Sequence, residues 1–569
     1  MKHKNLAALA AAILAALAVI PFTACDFSFG GGTASVDSTV TSTDNADSAG
    51  SVNPTVSAGA AEVPDGATEI TDGYEITEAG DYYVASEIDD KIEITAEGVT
   101  LYLSGATLSN KKKVIESSYG LTLTLLGENS VSNTNTDGSN AIDCEGDLTI
   151  NGSGSLSVSS TKNGIKANSI SVTEATLYIE AENDGLHAEV TAYDDATSEP
   201  DPSYDDGGYV YISDASVTID AADDGIQADT YAYVTGDGTA IDIVSGGGSP
   251  SSVTSTSSDA AEGKGIKAGN IDWGANDAEI DWDGYLIYIG GGDITIDAND
   301  DAVHSNSEIL IDGGTLSLES GDDAVHSDDI LTISGGDITV TKCYEGIESA
   351  QVQITGGTMQ IESTEDGVNA ADGTATAVGV SNSNCKIVIT GGYLSVNCTG
   401  SEGDGIDSNG SIYISGGELY VAGSSNSADA AIDADGDIVV DGGYVFAVGP
   451  SGMVETPTSS SGQYCVDYQC SSSVSANTTL YLCDSDENVI MYFTCPRSCQ
   501  DILLSCPEFE KGSTYSLYSG STLLKSFTIS STITSVSSGG TSGNTTGSPG
   551  SGVNGNTPGF TGGITSRNR

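Results

Sequence analysis

A pair of glycines returns along this chain at a nearly constant interval, and no other feature limits its fold so strongly. The pairs are Gly291-Gly292, Gly313-Gly314, Gly335-Gly336, Gly356-Gly357, Gly391-Gly392, Gly416-Gly417 and Gly442-Gly443, and the first four are spaced 22, 22 and 21 residues apart. Each pair ends one short alternating run and opens another, as in Ile309-Leu310-Ile311 before Gly313 and Thr315-Leu316-Ser317-Leu318 after Gly314. Alternation at period two puts the Ile, Leu and Val of a strand on one face. One such unit cannot bury that face alone, whereas stacked copies can. An interval near 22 fits one coil of a parallel β-helix, with strands about 4.8 Å apart along the stack. Small residues at the corners let the backbone bend tightly. The sequence therefore predicts an all-β chain, a single-stranded parallel β-helix closed by a small C-terminal β capping module.

In such a stack, equivalent positions of successive coils form columns. The most regular column follows an acidic corner: Asp184-Gly185-Leu186, Asp224-Gly225-Ile226, Asp301-Ala302-Val303, Asp323-Ala324-Val325, Glu345-Gly346-Ile347, Asp366-Gly367-Val368 and Asp404-Gly405-Ile406, with a weaker copy at Asp429–Asp433. The apolar residue after each corner is expected to point inward. Asp223-Asp224, Asp300-Asp301 and Asp322-Asp323 are doublets, and Asp407, Asp433, Glu348 and Asn369 lie just past the inward residue. Carboxylates stacked about 5 Å apart repel, which raises their pKa values or splays them. A Ca²⁺ ion takes six to eight oxygens at roughly 2.3–2.6 Å and removes the conflict. The expected metal ligands are Asp184, Asp223, Asp224, Asp300, Asp301, Asp322, Asp323, Glu345, Asp366, Asp404, Asp407, Asp429 and Asp433, with Ca²⁺ as cofactor. The competing reading is that Asp is simply a good turn residue, because its side chain bonds nearby backbone N–H groups.

Charge narrows the partners. Asp and Glu number 82 against 17 Lys and Arg, a net −65. Nucleic acid and anionic lipid surfaces are excluded as direct partners, since both would be repelled. The repeated pattern Gly-Gly-x-Leu-x-Ile-x-Ser-x-x-Asp-Gly-Ile-x-Ala, behind a lipoprotein-like N-terminus, resembles the cellulose- and polyuronate-binding β-helix family of bacterial cell-surface proteins, over roughly residues 65–530. Asp184-Gly185, Asp224-Gly225, Asp366-Gly367 and Asp404-Gly405 match best. The resemblance implies a right-handed coil, calcium at the acidic corners, and a role in holding plant cell-wall polysaccharide. The Asp-Ala corners at 301–302 and 323–324 depart from the pattern, as do the Lys-bearing corners near 164 and 265, where Lys166 or Lys267 could replace the cation.

Residues 1–25 read as a lipoprotein-type signal: a basic start, an apolar stretch Leu6–Ile20, then Phe22-Thr23-Ala24-Cys25. The last four residues resemble the bacterial lipobox, Phe22 standing for its usual Leu. Cys25 is thus the expected lipidation site, giving an exported, cell-surface protein held to the membrane by its lipid; an ordinary cleaved signal is the alternative. Residues 26–64 read as a flexible Ser/Thr/Gly linker, 65–449 as the repeat domain, 450–531 as a cysteine-containing β module and 532–569 as a disordered Gly/Ser/Thr tail.

Two polar segments interrupt the period, Thr191–Gly208 and about Thr230–Asp283. The second carries Trp273 and Trp282, the only tryptophans, with Tyr285 just after; these three are candidate sugar platforms, or else they seal the insertion against the wall. Tyr211, Tyr288, Tyr413 and Tyr420 fall at outward positions and could form an aromatic stripe. His304 and His326 occupy equivalent positions and read as a polar ladder, two histidines alone being a weak metal signal. Six cysteines between Cys465 and Cys506 are compatible with disulfides in an exported protein, with no pairing readable.

The function expected is non-catalytic binding of cellulose, polygalacturonate or a related plant cell-wall glycan. Parallel β-helices also host pectate lyases, which need calcium and a basic residue; Lys264 and Lys267, and less well Lys162 and Lys166, are the candidate bases here. That calcium-dependent polyuronate lyase and a structural surface adhesin are the alternatives.

Overall fold

The computed structural model describes residues 62–134, 138–190, 207–253, 262–269, 286–374 and 380–537. The expected signal peptide, Cys25, most of the linker, Trp273, Trp282, Tyr285 and nearly all of the C-terminal tail lie outside these residues. The described residues are all-β: 43 strands and no helix.

Three strands make one coil. Ile142–Cys144, Asp147–Asn151 and Ser155–Ser160 are followed by Ile165–Ala167, Ser169–Thr173 and Thr176–Ala181. Each strand pairs in parallel with its counterpart one coil on: Ile142 with Ile165, Leu148 with Ile170, Leu156 with Leu177. The same step continues as Ile165 to Leu186 and Leu177 to Val217. These pairings join 39 strands into one continuous sheet.

The inward columns are apolar along the stack. Leu156, Leu177, Val217, Ile241, Ile294, Leu316, Ile338, Met359, Leu394, Leu419 and Val445 occupy one register position and are all buried. Period-two alternation supplies this column, and stacking removes it from water at roughly 25 cal/mol per Å² of apolar surface.

Two expectations about punctuation change. The Gly-Gly pair does not always end a strand: Leu286–Ala298, Glu308–Ser320, Ser411–Ala422 and Ile438–Gly449 each run through it, with a register irregularity at the pair. The second glycine has positive φ, 90° at Gly314 and 83° at Gly336. At Gly335 a Cβ would meet the Asp312 carbonyl oxygen of the previous coil at 2.2 Å, so the tight stacking itself demands glycine. Second, the segment 230–283 is not one insertion. Tyr231–Thr235, Ala240–Ser245 and Ile266–Ala268 are regular coil strands, in register with Tyr209–Ser213, Ser216–Ala221 and Ile226–Ala228. This coil turns on Gly236-Asp237-Gly238 instead of a Gly-Gly pair, which hid it.

Beyond Gly449 the parallel rule ends. Cys499–Ser505 pairs antiparallel with Ile438–Gly449 and with Cys465–Val474, and Ile533–Ser537 adds to the latter in parallel. A separate four-stranded antiparallel sheet, ordered Val489–Thr494, Thr479–Cys483, Thr514–Ser519 and Thr522–Thr528, packs through a second apolar cluster of Leu480, Met491, Phe509, Tyr515 and Phe527. Phe446 and Val448 of the last coil belong to that cluster, so this module covers apolar surface that the stack leaves at its end. The ten described cysteines are free thiols, and the Cys495 and Cys499 sulfurs lie 3.7 Å apart.

Candidate functional site: a charged corner and a tyrosine face

Backbone hydrogen bonds run straight up the acidic corner. The amides of Gly185, Gly225, Gly265, Ala302, Ala324, Gly346 and Gly367 donate to the carbonyls of Asp224, Lys264, Asp301, Asp323, Glu345, Asp366 and Asp404 respectively. The corner column is therefore Asp184, Asp224, Lys264, Asp301, Asp323, Glu345, Asp366, Asp404. Gly follows most corners because a Cβ would clash, lying 2.4 Å from Ile219 Cγ2 at Gly185, while Ala stands at this position after Asp301 and Asp323. The next residues, Leu186, Ile226, Ile266, Val303, Val325, Ile347, Val368 and Ile406, are all buried as expected.

One oxygen of several corner carboxylates is already committed. Asp184 Oδ1 accepts from the Asp224 amide at 3.2 Å, Asp224 Oδ1 from the Lys264 amide at 2.8 Å, Asp301 Oδ1 from the Asp323 amide at 3.0 Å and Asp366 Oδ1 from the Asp404 amide at 2.6 Å; Asp404 Oδ1 accepts from the Ala430 amide. The turn-residue reading thus holds for one oxygen, in a form the sequence did not suggest, since the amide belongs to the next coil. The second oxygen faces a neighbouring column three residues further on.

That second column, in register, reads Asp143, Lys166, His187, Gln227, Lys267, His304, His326, Glu348, Asn369, Asp407. In the middle coils it supplies basic side chains. His187 Nδ1 lies 2.5 Å from Asp184 Oδ2, Lys267 Nζ 2.9 Å from Asp224 Oδ2, and His304 Nδ1 2.8 Å from Asp301 Oδ2. Lys264, in the corner itself, places its ammonium 2.7 Å from both Asp300 Oδ2 and Asp301 Oδ2. Burial pushes Asp301 upward, but the Lys264 charge and the His304 hydrogen bond outweigh it and hold the carboxyl well below its usual range. Burial and the same ammonium push His304 down to about 4, so its imidazole is neutral at pH 7. At His187 burial is outweighed by Asp184 and Glu189, which raise it to about 9.

Beyond His326 the column supplies no cation. Burial, then Glu348, Asp323 and Asp366, push Glu345 well above the carboxylate range. Burial with Asp407 and Asp404 does the same to Asp366, and burial with Asp404 and Asp433 to Asp407. Asp404 rises to about 7, mainly by burial, against the Ala430 hydrogen bond. Asp404, Asp407 and Asp433 bring one carboxylate oxygen each within 4.8 Å of one another. Asn369 Oδ1 and Asp433 Oδ1 are buried here without a hydrogen-bond partner.

The thirteen expected ligands thus separate. Asp184, Asp223 and Asp224 converge, as do Asp300, Asp301 and Asp322, but both groups already hold a Lys or His. Asp404, Asp407 and Asp433 converge with none. Glu345 lies beside Asn369, whose Nδ2 donates to it at 3.0 Å. Asp323 joins His326 and Glu348. Asp429 stands apart, accepting from the Ser424 hydroxyl at 2.5 Å, because Ala430 fills the corner position after it.

A second feature lies on an outward face of the middle coils. Tyr211, Tyr233 and Tyr288 are register partners on three successive coils, and Tyr209 pairs with Tyr231 beside them. Buried Val210, Ile212, Ala232, Val234, Ile287 and Ile289 alternate with them, so all five rings point outward. Ring centroids are 5.9 Å apart for Tyr231–Tyr233 and 6.2 Å for Tyr233–Tyr288. Of the four tyrosines expected to form a stripe, Tyr211 and Tyr288 join this face. Tyr413 is exposed between Val388 and Val439, and Tyr420 packs on Tyr393 and on Phe493 of the C-terminal module. Tyr209, Tyr231 and Tyr233 complete the face beyond the expected residues, and their signal in the sequence is the pair of Tyr-x-Tyr runs Tyr209-Val210-Tyr211 and Tyr231-Ala232-Tyr233.

Residues 71–324 and 274–451 match a family model described as carbohydrate-binding domain-containing protein; together the two matches cover residues 71–451, about two thirds of the chain. No curated protein and no solved structure matched.

Proposed function

The chain belongs to the family of carbohydrate-binding domain-containing proteins, and from that premise we propose that it is a non-catalytic, calcium-stabilised binder of plant cell-wall polysaccharide, cellulose or polygalacturonate, carried on the cell surface by a lipid at Cys25. In this reading the stack is a right-handed parallel β-helix. The observation that carries the proposal is the tyrosine face. Five outward, half-buried rings on three coils, tilted against one another by 31° at Tyr231–Tyr233 and 60° at Tyr233–Tyr288, offer apolar ring faces with hydroxyl edges, which suits the C–H faces of pyranose rings. Coils repeat about every 4.8 Å, so a repetitive polymer meets repeated weak contacts whose affinities combine.

Calcium fits one part of the corner and not another. Asp404, Asp407 and Asp433 present oxygens only, with a partnerless buried oxygen on Asp433, and that donor set suits a hard cation. The Asp300/Asp301/Asp322 group does not fit it, since the Lys264 ammonium stands where an ion would. At Asp184/Asp223/Asp224, His187 and Lys267 already supply the positive charge. Bound at the C-terminal coils, calcium would cancel carboxylate repulsion and could bridge to a uronate. The binder is favoured over the lyase because the leading candidate bases are engaged: Lys264 is 4% exposed between two carboxylates, Lys267 is paired with Asp224 and Lys166 with Glu189.

The test is retention of the purified protein on insoluble cellulose and on immobilised polygalacturonate, with and without calcium. A variant carrying Tyr211→Ala, Tyr233→Ala and Tyr288→Ala should lose at least about tenfold in affinity, about 1.4 kcal/mol, with its melting temperature little changed. Retention equal to wild type on every glycan would overturn the tyrosine face as the binding surface. Release of unsaturated uronide would put the lyase first.

A further inference from the structure

We propose that Asp323, His326 and Glu348 form a binding site for a divalent transition metal of the Zn²⁺ class, distinct from any calcium site. The three side chains come from two adjacent coils, His326 and Glu348 being register partners. One ligand atom from each lies within 4.8 Å of the other two. His326 Nδ1 is 2.8 Å from Asp323 Oδ2 and 3.2 Å from Glu348 Oε2. A single N–H cannot serve two carboxylates equally well, whereas a metal ion in place of that proton would bind all three groups. Asp323 is 1% exposed, and its Oδ1 has no hydrogen-bond partner.

The far side of the imidazole carries the independent observation. His326 Nε2 lies 3.2 Å from Asp328 Oδ1, and Asp328 Oδ2 accepts from Asn306 Nδ2 at 3.0 Å. A carboxylate on the remote ring nitrogen, itself fixed by a further hydrogen bond, is the arrangement that orients metal-bound histidines and holds their tautomer. Here it directs Nδ1 at Asp323 and Glu348. The His304 ring stacks at 5.0 Å on the side of the preceding coil, where Lys264 already satisfies Asp300 and Asp301. The site therefore sits where built-in cations give out. An imidazole with two carboxylates selects Zn²⁺, Co²⁺ or Ni²⁺ over Ca²⁺, which prefers oxygen alone.

The experiment titrates chelator-treated full-length protein with Co²⁺, followed by visible d–d absorption, then displaces the Co²⁺ with Zn²⁺. One equivalent should bind with a spectrum indicating nitrogen ligation, resist millimolar Ca²⁺ and yield to Zn²⁺. His326→Gln should abolish the spectrum. Asp328→Asn should weaken Co²⁺ binding about 10–100-fold, the usual loss for a supporting partner. His187→Gln should change nothing, since His187 belongs to no such group. Thermal melts of each variant confirm that it is folded. A spectrum unchanged in His326→Gln, or Co²⁺ displaced by Ca²⁺, would sink the proposal.

Discussion

The middle coils and the C-terminal coils share one backbone and differ in charge. In both, a corner Asp uses one oxygen to bind an amide of the next coil, as Asp184 does for Asp224 and Asp366 does for Asp404. In the middle coils the other oxygen meets His187, Lys267, Lys264 or His304. In the C-terminal coils it meets Glu348, Asp407 and Asp433. The difference teaches that stacking does not require an ion at every corner. The corner geometry is a backbone device, and neutralising it is a separate task, which basic side chains perform in one region and do not perform in the other.

Lys264 gives the comparison its hardest test. Its ammonium is buried between two carboxylates, so Lys264→Met leaves Asp300 and Asp301 short of their cation. Removing one partner of a buried pair costs about 3–5 kcal/mol. Chemical denaturation should show a loss of that order, and added calcium should recover part of it by turning this corner into one of the C-terminal kind. A loss below about 1 kcal/mol would mean that the middle coils do not depend on their built-in cation.

Calcium withdrawal should come next in size. A ligand at a hundred times its dissociation constant contributes about 2.7 kcal/mol per site. Hydrogen exchange in chelator should rise across residues 345–433 and stay unchanged across 163–305. Uniform protection with and without calcium would remove the distinction.

Proton linkage is a smaller effect and should have opposite signs in the two regions. Glu189 falls to about 2, chiefly through its hydrogen bond to His187. Its contribution is present above its unfolded value near 4.5 and is lost as pH falls toward 2. Asp404 rises to about 7. A raised carboxyl favours the folded state while protonated, so the metal-free C-terminal coils should be firmest near pH 4 and weaken as pH climbs to about 7, by on the order of 2 kcal/mol. Exchange measured against pH in chelator reads both slopes, and parallel slopes would break the comparison.

Much of this was legible in the residues, for physical reasons. Period-two alternation and the Gly-Gly interval leave few ways to bury Ile294, Leu316 and Ile338 except by stacking, and the Asp-Gly-Ile corners mark the register. Lys166, Lys267 and the stacked histidines were visible as well. What escaped was alignment across coils of unequal length. The corner Lys264-Gly265-Ile266-Lys267 is legible, but the strand Tyr231–Thr235 of the same coil is disguised by the Gly236-Asp237-Gly238 turn, and that Lys264 itself reaches Asp300 and Asp301 of the next coil shows only in the structure. The same coil carries Tyr231 and Tyr233, so that turn hides the centre of the tyrosine face. The commitment of Asp Oδ1 to the next coil's amide leaves no sequence trace distinct from an ordinary turn Asp.

One substitution made at the same position in each region has the smallest expected effect and separates charge from geometry most cleanly. Asp224→Asn and Asp404→Asn both keep an oxygen able to accept the amide above, from Lys264 or Ala430. At Asp224 the change removes the partner of the Lys267 ammonium and should destabilise by about 1–2 kcal/mol. At Asp404 it removes a carboxylate pressed against Asp407 and Asp433, so in calcium-free buffer at pH 7 it should stabilise by about 1 kcal/mol. It also deletes a candidate calcium ligand, so the gain should vanish or reverse when calcium is added, while Asp224→Asn should respond to calcium no differently from wild type. Opposite signs without calcium mean that the two regions are one backbone with two electrostatic solutions. Losses of equal size at both positions would mean instead that the hydrogen-bond ladder, and not the charge facing it, sets the strength of every corner.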